Sequence, residues 1–183
     1  MPGTRYHHSN IGWNIAGLIV QRAAGESLPV LYRERIFKPL GLTHTTYAPQ
    51  GPIPGRHAEG YLIARNGSMT DATDRTFGKG ADGAIVTDAT DEATFLRALI
   101  NDKLRVRDAF LLFVHPTGWT PTKGGCPGSP VEGVGTGSAS RSYVYLATTG
   151  NRIAVLLLNG DRAATGADDP EAEAAAASLY CGA

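Results

Sequence analysis

Arg141-Ser-Tyr-Val-Tyr-Leu-Ala-Thr148 and Arg152-Ile-Ala-Val-Leu-Leu-Leu158 are two runs of strand-forming residues joined around Thr149-Gly150-Asn151, and together they read as a β-hairpin. The second run is apolar at every position from Ile153 to Leu158. A strand with one face in water would alternate. Continuous hydrophobicity therefore implies cover on both faces, and hence a sheet packed between helices. A two-stranded hairpin is rarely stable by itself. The sheet needs more strands than the rest of the sequence visibly offers.

After the hairpin, Asp168-Asp169-Pro170 opens a closing helix rich in Ala and Glu that ends near Tyr180. The acidic residues Asp168, Asp169, Glu171 and Glu173 read as a solvated helix start favoured by the dipole. On the other side of the hairpin, Pro116 to Gly137 is rich in Gly and Pro and reads as loop. Asp88 to Ile100 predicts a helix capped by Asp88, with Phe95, Leu96, Leu99 and Ile100 as its apolar face. Near the beginning, Ser9 or Asn10 caps a helix that runs to Ala24 and closes at Gly25. Ile11, Ile15, Leu18 and Ile19 share one face of it and are expected in the core. Ser27 caps a second helix with Pro29 in its first turn. It is expected to reach about Phe37 and to break at Pro39-Leu-Gly-Leu42. Gly51-Pro-Ile-Pro-Gly55 opens an irregular stretch, with a short strand from Gly60 to Arg65 and a turn at Asn66-Gly67.

The 183 residues carry 17 Lys plus Arg against 17 Asp plus Glu, so no net field recommends nucleic acid or an anionic membrane as partner. The apolar runs Ala109 to Val114 and Ile153 to Leu158 are far too short to span a bilayer. No apolar signal-peptide region follows Met1, so the protein is expected to be cytosolic or to start upstream. Cys126 and Cys181 are either unrelated thiols or a single bridge between a loop and the closing helix, and composition leaves both readings open.

Pro2-Gly-Thr-Arg-Tyr-His-His-Ser-Asn10 leads into the first helix, and Ile36-Phe-Lys-Pro-Leu-Gly-Leu-Thr-His-Thr-Thr46 follows. Gly60-Tyr61 and Gly83-Ala-Ile-Val-Thr-Asp-Ala-Thr-Asp91, running on to Phe95-Leu-Arg-Ala-Leu99, come next in order. In this order the four stretches resemble the serine β-lactamase and D-alanyl-D-alanine carboxypeptidase superfamily, in its class C-like branch, over nearly the whole chain. The resemblance implies three clusters: Ser-x-x-Lys to form an acyl-serine, Tyr-x-Asn to move the proton and hold substrate, and Lys/His-Thr-Gly on an edge strand to grip a carboxylate. No Ser of this chain has a Lys three residues later. The resemblance places that nucleophile upstream of Met1. At the second cluster stand His8-Ser9-Asn10, with His8 in place of the tyrosine and Asn10 retained. At the third, Gly133-Val134-Gly135-Thr136 align with a His-Thr-Gly-Thr pattern, so the cation and the carboxylate-binding threonine are gone and Gly135 remains. The resemblance also implies a Cys126–Cys181 disulfide, an oxidising extracytoplasmic or secreted location, and stabilisation on the order of 4 kcal/mol from the closed loop.

Other constellations are weaker. Gly124-Gly-Cys126-Pro-Gly128 fits a nucleophile elbow formally but lacks the strand and helix that an elbow joins. Gly135-Thr-Gly-Ser-Ala139 has no following Lys and is not a phosphate loop. His7, His8, His44, His57 and His115 show no metal-ligand spacing, so no metal and no cofactor are expected.

The sequence thus predicts an α/β (strictly α+β) fold, an antiparallel sheet flanked by helices. It would form one partial domain over 1–183 with its N-terminal part missing: a helical lobe over about 1–125, and the hairpin and closing helix over about 126–183. Expected substrates are small D-alanyl peptides, β-lactams or esters, bound near His8, Asn10 and Gly133 to Thr136. The chain alone is expected to be inactive. The alternative is a non-catalytic descendant that binds a peptide or cell-wall fragment, or a truncated pseudogene product.

Overall fold

The computed structural model describes residues 7–182, apart from 50, 65, 77, 79, 115–119, 122–130, 138, 148, 150 and 162–168. The helices are α1 (Asn10–Ala24), α2 (Leu28–Tyr32), α3 (Lys38–Leu40), α4 (Ala89–Ile100), α5 (Arg107–Val114) and α6 (Pro170–Cys181). The strands are β1 (Thr46–Tyr47), β2 (Tyr61–Ile63), β3 (Met69–Asp71), β4 (Ile85–Val86), β5 (Thr120–Pro121), β6 (Val131–Thr136), β7 (Arg141–Leu146), β8 (Ile153–Leu158) and β9 (Gly160–Asp161).

The central sheet has the order β5-β6-β7-β8 and is antiparallel throughout. The predicted hairpin is its β7–β8 pair, in register from Arg141 opposite Leu158 to Leu146 opposite Ile153. Successive strand residues point to opposite faces, and each face has a helix. Val144 and Leu146, with Ile153 and Val155, pack against Leu96, Leu99 and Ile100 of α4. Tyr143, Tyr145 and Ala147, with Ala154, Leu156 and Leu158, pack against Ala172, Ala176 and Tyr180 of α6. That division accounts for the unbroken apolar run of β8, since both of its faces meet a helix.

The extra strands come from a segment that composition assigned to loop. Val131 to Thr136 forms β6 and pairs along its whole length with β7. Cross-strand pairing to an aromatic and β-branched neighbour overrides the poor strand propensity of Gly133 and Gly135. α5 was likewise not anticipated, although Ala109 to Val114 supplies its apolar residues.

Two corrections concern the helices near the beginning. Helical structure runs past the expected end near Phe37 and stops inside the predicted Pro39–Leu42 break: α2 runs into a π-helical turn at Arg33–Phe37 and then into α3, which contains Pro39. The amide of Lys38 bonds back to the Arg33 carbonyl five residues earlier, a wide turn that accommodates a residue with no N–H. Termination falls instead at Gly41, left-handed at φ 68°, a conformation that costs glycine nothing.

The second correction is larger. Ile11, Ile15, Leu18 and Ile19, expected in the core, are 73%, 52%, 57% and 62% exposed. α1 faces the protein through Asn10, Trp13, Asn14, Gly17, Gln21 and Ala24, which recur at helical spacing and are the residues of α1 that are buried or half-buried. Gly17 lies so close to Ala81 and Leu28 that a Cβ there would collide with the Ala81 methyl. Gln21 Oε1 accepts from the Leu28 amide at 3.0 Å. The capping was read correctly: Ser9 Oγ accepts from the Gly12 amide at 3.1 Å, and the Gly25 amide donates to the Gln21 carbonyl.

Candidate active site

Ser9 fixes the start of α1, and this brings its two neighbours together. Asn10 Oδ1 accepts from His8 Nε2 at 2.8 Å, which requires a proton on that ring nitrogen. His8 is exposed and Asn10 half-buried. One turn on, Asn14 Oδ1 accepts from the Asp82 amide at 3.3 Å and presses on Gly80, so the 80–82 loop lies against the same side of the helix. Beyond that loop Ala84 is buried with φ 67°, a left-handed conformation that a Cβ resists. Its carbonyl accepts from the Ala48 amide at 2.8 Å, so pairing at the β1–β4 ribbon holds the strain in place. Asn14, the 80–82 loop and Ala84 were not read from the sequence as parts of the site. For Asn14 the available signal was its place one helical turn after Asn10. For Ala84 there was none.

Gly133, Val134, Gly135 and Thr136 all lie on β6. Gly133 is buried, and Val134 to Thr136 are exposed. β5 pairs only with Val131 and Glu132. Among the described residues, no strand pairs with the side of β6 facing away from β7 between Gly133 and Thr136, and the exposed part of that edge is Val134 to Thr136. The end of the β6–β7 hairpin is pinned by Gly60: a Cβ there would lie 2.9 Å from the Ala139 methyl, closer than side chains tolerate. The Gly60-Tyr61 motif thus acts by close approach to the turn that follows β6. At the other end of β6, the Tyr145 phenol donates to Glu132 Oε1 at 3.0 Å. Burial, reinforced by that carboxylate, pushes the phenol well above its ordinary range. The structure joins His8 to Asn10 on one element and Gly133 to Thr136 on another. Cys126 lies outside the described residues, so the expected bridge to Cys181 does too. Cys181 itself ends α6, packed against the cluster between the sheet and that helix.

Among the described residues His44, Asp88 and Asp91 bring one ligand-type atom each within 4.8 Å of one another. Protein donors already occupy these carboxylates. Asp88 Oδ1 accepts from the Asp91 amide at 2.8 Å and caps α4, and Asp88 Oδ2 lies 3.1 Å from His44 Nδ1. The buried Asp91 Oδ2 accepts from the His44 amide and the Thr45 hydroxyl, both at 2.8 Å. The cluster anchors the 44–45 turn to the first turn of α4, and its chemistry is that of a cap.

Comparison with known proteins bears on the fold and the family. A D-stereospecific amidohydrolase from Streptomyces sp. superposes with a TM-score of 0.74 at 22% identity, covering 100% of this chain and 57% of its own. A penicillin-binding protein from Bacillus halodurans superposes at 0.72 and 21% identity, covering 98% and 58%. A putative D-alanyl-D-alanine carboxypeptidase of Escherichia coli K12 is 38% identical over 48 residues, 26% of this chain and 11% of that protein. The chain thus spans a little over half the length of these solved structures, and its matched stretch about a tenth of the curated relative. The likeness of the structures carries the β-lactamase/transpeptidase fold. With its order of motifs, its helix-covered antiparallel sheet and a match of residues 1–178 to the Beta-lactamase family model, the chain belongs to the Beta-lactamase family.

Proposed function

We propose that this chain is part of one β-lactamase-like domain of a serine hydrolase, which opens amide or ester bonds in D-alanyl peptides, β-lactams or small esters through an acyl-serine. The observation that supports the reading is the edge of β6 from Gly133 to Thr136, unpaired among the described residues and exposed from Val134 on. An extended substrate can pair with it through backbone hydrogen bonds, which position the scissile bond without a dedicated side chain. His8 suits transfer of a proton to the leaving group because an imidazole ring can both accept and give a proton. Asn10 steadies the ring through Oδ1, and in this reading its amide nitrogen would hold substrate. No Ser-x-x-Lys occurs in these 183 residues, so they do not supply the attacking oxygen in that form and the chain alone is expected not to be acylated.

The missing cation favours a narrower substrate class. Gly133 stands where a Lys or His would attract a substrate carboxylate, and Val134 where a threonine hydroxyl would bind it. Without these, neutral amides and esters lose less than peptides ending in a free carboxylate. The D-stereospecific amidohydrolase, similar in fold, accords with an amide substrate. An extracytoplasmic site and a Cys126–Cys181 bridge belong to the same reading.

Labelling with a fluorescent penicillin tests it. A covalent adduct on the 183-residue chain would overturn the expectation that the chain alone is inert. The second reading, a binding module without turnover, is favoured by the altered second and third motifs. It predicts saturable binding of a D-Ala-D-Ala peptide to the isolated chain without turnover.

A further inference from the structure

The exposed edge of β6 carries a glycine that its backbone does not need. Gly135 pairs with Ser142 of β7 and its φ lies outside the left-handed region, so a side chain there would bring no backbone strain. A glycine inside a strand weakens it and often marks a place where another group approaches closely. Here the group is a hydroxyl, since a Cβ at Gly135 would lie 2.5 Å from Ser142 Oγ. Ser142 Oγ therefore occupies the space that a side chain at 135 would fill. Gly137 comes as close to Ser140 Oγ, but there the turn accounts for it: the Gly137 amide donates to the Ser140 carbonyl at 2.7 Å. Side chains alternate along β7. Ser142 thus lies on the face of Val144 and Leu146, which pack against α4, and is itself half-buried. Arg141, the adjacent cation, is buried and lies on the opposite face with Tyr143 and Tyr145. Among the described residues, Ser142 Oγ has no hydrogen-bond partner.

We propose that Gly135 and Ser142 form a notch on the β6 edge in which the Ser142 hydroxyl binds a neutral carboxamide of the substrate, an inference that rests on the hydrolase reading of that edge. An extended ligand pairing with Val134 to Thr136 places alternate groups on the Ser142 face of the sheet. Opposite Gly135, no side chain of β6 stands between such a group and the hydroxyl. A hydroxyl donates to an amide carbonyl or accepts from an amide N–H, so it serves either end of a carboxamide. It carries no charge, and Arg141 lies on the other face, so this pair of residues offers a carboxylate no ion pair. Val134 stands where the third motif has a threonine, and Ser142 returns a hydroxyl from the adjacent strand.

The test titrates the 183-residue chain with N-acetyl-D-alanine amide, and separately with N-acetyl-D-alanine, which differs only in its free carboxylate, while backbone amide shifts are followed by NMR. Saturable binding of the amide is expected, with the shifts concentrated on Val134 to Thr136 and Ser142, and the carboxylate should bind no more tightly. Ser142→Ala should weaken amide binding about three- to tenfold, as for the loss of one hydrogen bond. It should keep the urea midpoint of the parent chain, because the hydroxyl it removes has no partner among the described residues. Gly135→Ala fills the notch and should cause a similar loss. The double variant should lose no more than either single change, since both remove the same contact. Ser142→Ala decides by itself if Gly135→Ala fails to fold. Amide binding that Ser142→Ala leaves unchanged, losses that add in the double variant, or tighter binding of the carboxylate would each overturn the proposal and leave binding at the β6 edge standing. Absence of binding by either compound would remove the notch together with the reading of that edge on which it rests.

Discussion

α1 and α4 carry the same signal in the sequence, an apolar stripe behind a capping residue, and the fold treats them in opposite ways. On α4, Leu96, Leu99 and Ile100 are 2%, 8% and 3% exposed, locked between the helix and Val131, Val144 and Leu146 of the sheet. On α1 the equivalent stripe looks outward, and the helix is held through Asn14, Gly17 and Gln21. The strands repeat the contrast. β7, flanked by β6 and β8, is buried at all but one position, whereas β8, which is richer in aliphatic residues, is fully buried at none. Periodicity identifies which residues share a face, but it says nothing about whether a partner lies opposite. Within this chain, the well-covered half is α4, the sheet and α6. The less covered part is the outward face of α1 and strand β8.

The sharpest way to break this contrast is to truncate one leucine on each helix. Leu96→Ala should cost about 2–5 kcal/mol, because it empties a site closed by Leu146 and Ile100. Leu18→Ala should change stability by no more than about 0.5 kcal/mol in the isolated chain, because little contact is lost. Urea denaturation of the two variants side by side measures the difference, and comparable costs would mean that the α1 face is covered in solution.

Asp91 comes next in size. Its buried carboxylate accepts from the His44 amide and the Thr45 hydroxyl, so Asp91→Ala removes both bonds, strands the His44 amide and should cost about 2 kcal/mol, with Asp91→Asn recovering part of it. A loss of stability without a change in slope of the urea transition would place the effect in the native state. The two N-caps differ less. Asp88→Ala should cost about 1 kcal/mol, since its side chain caps a helix packed into the core. Ser9→Ala should cost about 0.5 kcal/mol, as for a cap on a solvated helix start.

The sequence was most legible where one face and one period suffice. The β7–β8 hairpin, the covered faces of β8, α4 with its Asp88 cap, and α6 opening at Pro170 all follow from short-range pattern and turn chemistry. It was least legible where a distant partner decides. β6 is a strand because β7 lies beside it, although Gly133, Gly135 and the Pro-rich flank argue for loop. Pro39 stays helical because a π-helical turn precedes it, which no local propensity announces. The candidate site was found by resemblance: His8, Asn10 and the β6 edge carry no periodic signal. The support beneath them, Asn14 on the 80–82 loop and Gly60 against Ala139, depends on contacts between segments far apart in the chain.

The smallest effect concerns Glu92, one residue beyond Asp91 in the first turn of α4. Because α4 is packed against the protein, burial pushes the Glu92 carboxyl above its ordinary range; α1 has no acidic residue in its first turn to show the same behaviour. A raised folded-state value means that the unfolded chain gives up this proton more readily. The contribution of Glu92 to stability is therefore fully present below the unfolded value near 4.5 and is lost as pH rises through the folded one. Glu92→Gln removes the charge without changing the shape. It should gain stability over wild type as pH is raised from 4 to 7, and the gain should level off once the wild-type carboxyl is fully ionised. The helix dipole at the start of α4 favours the carboxylate and works against the burial effect, which is why the shift ranks last. Urea midpoints of both proteins across that range measure it. Parallel pH profiles would show that Glu92 is solvated, and that the first turn of α4 is as open as that of α1.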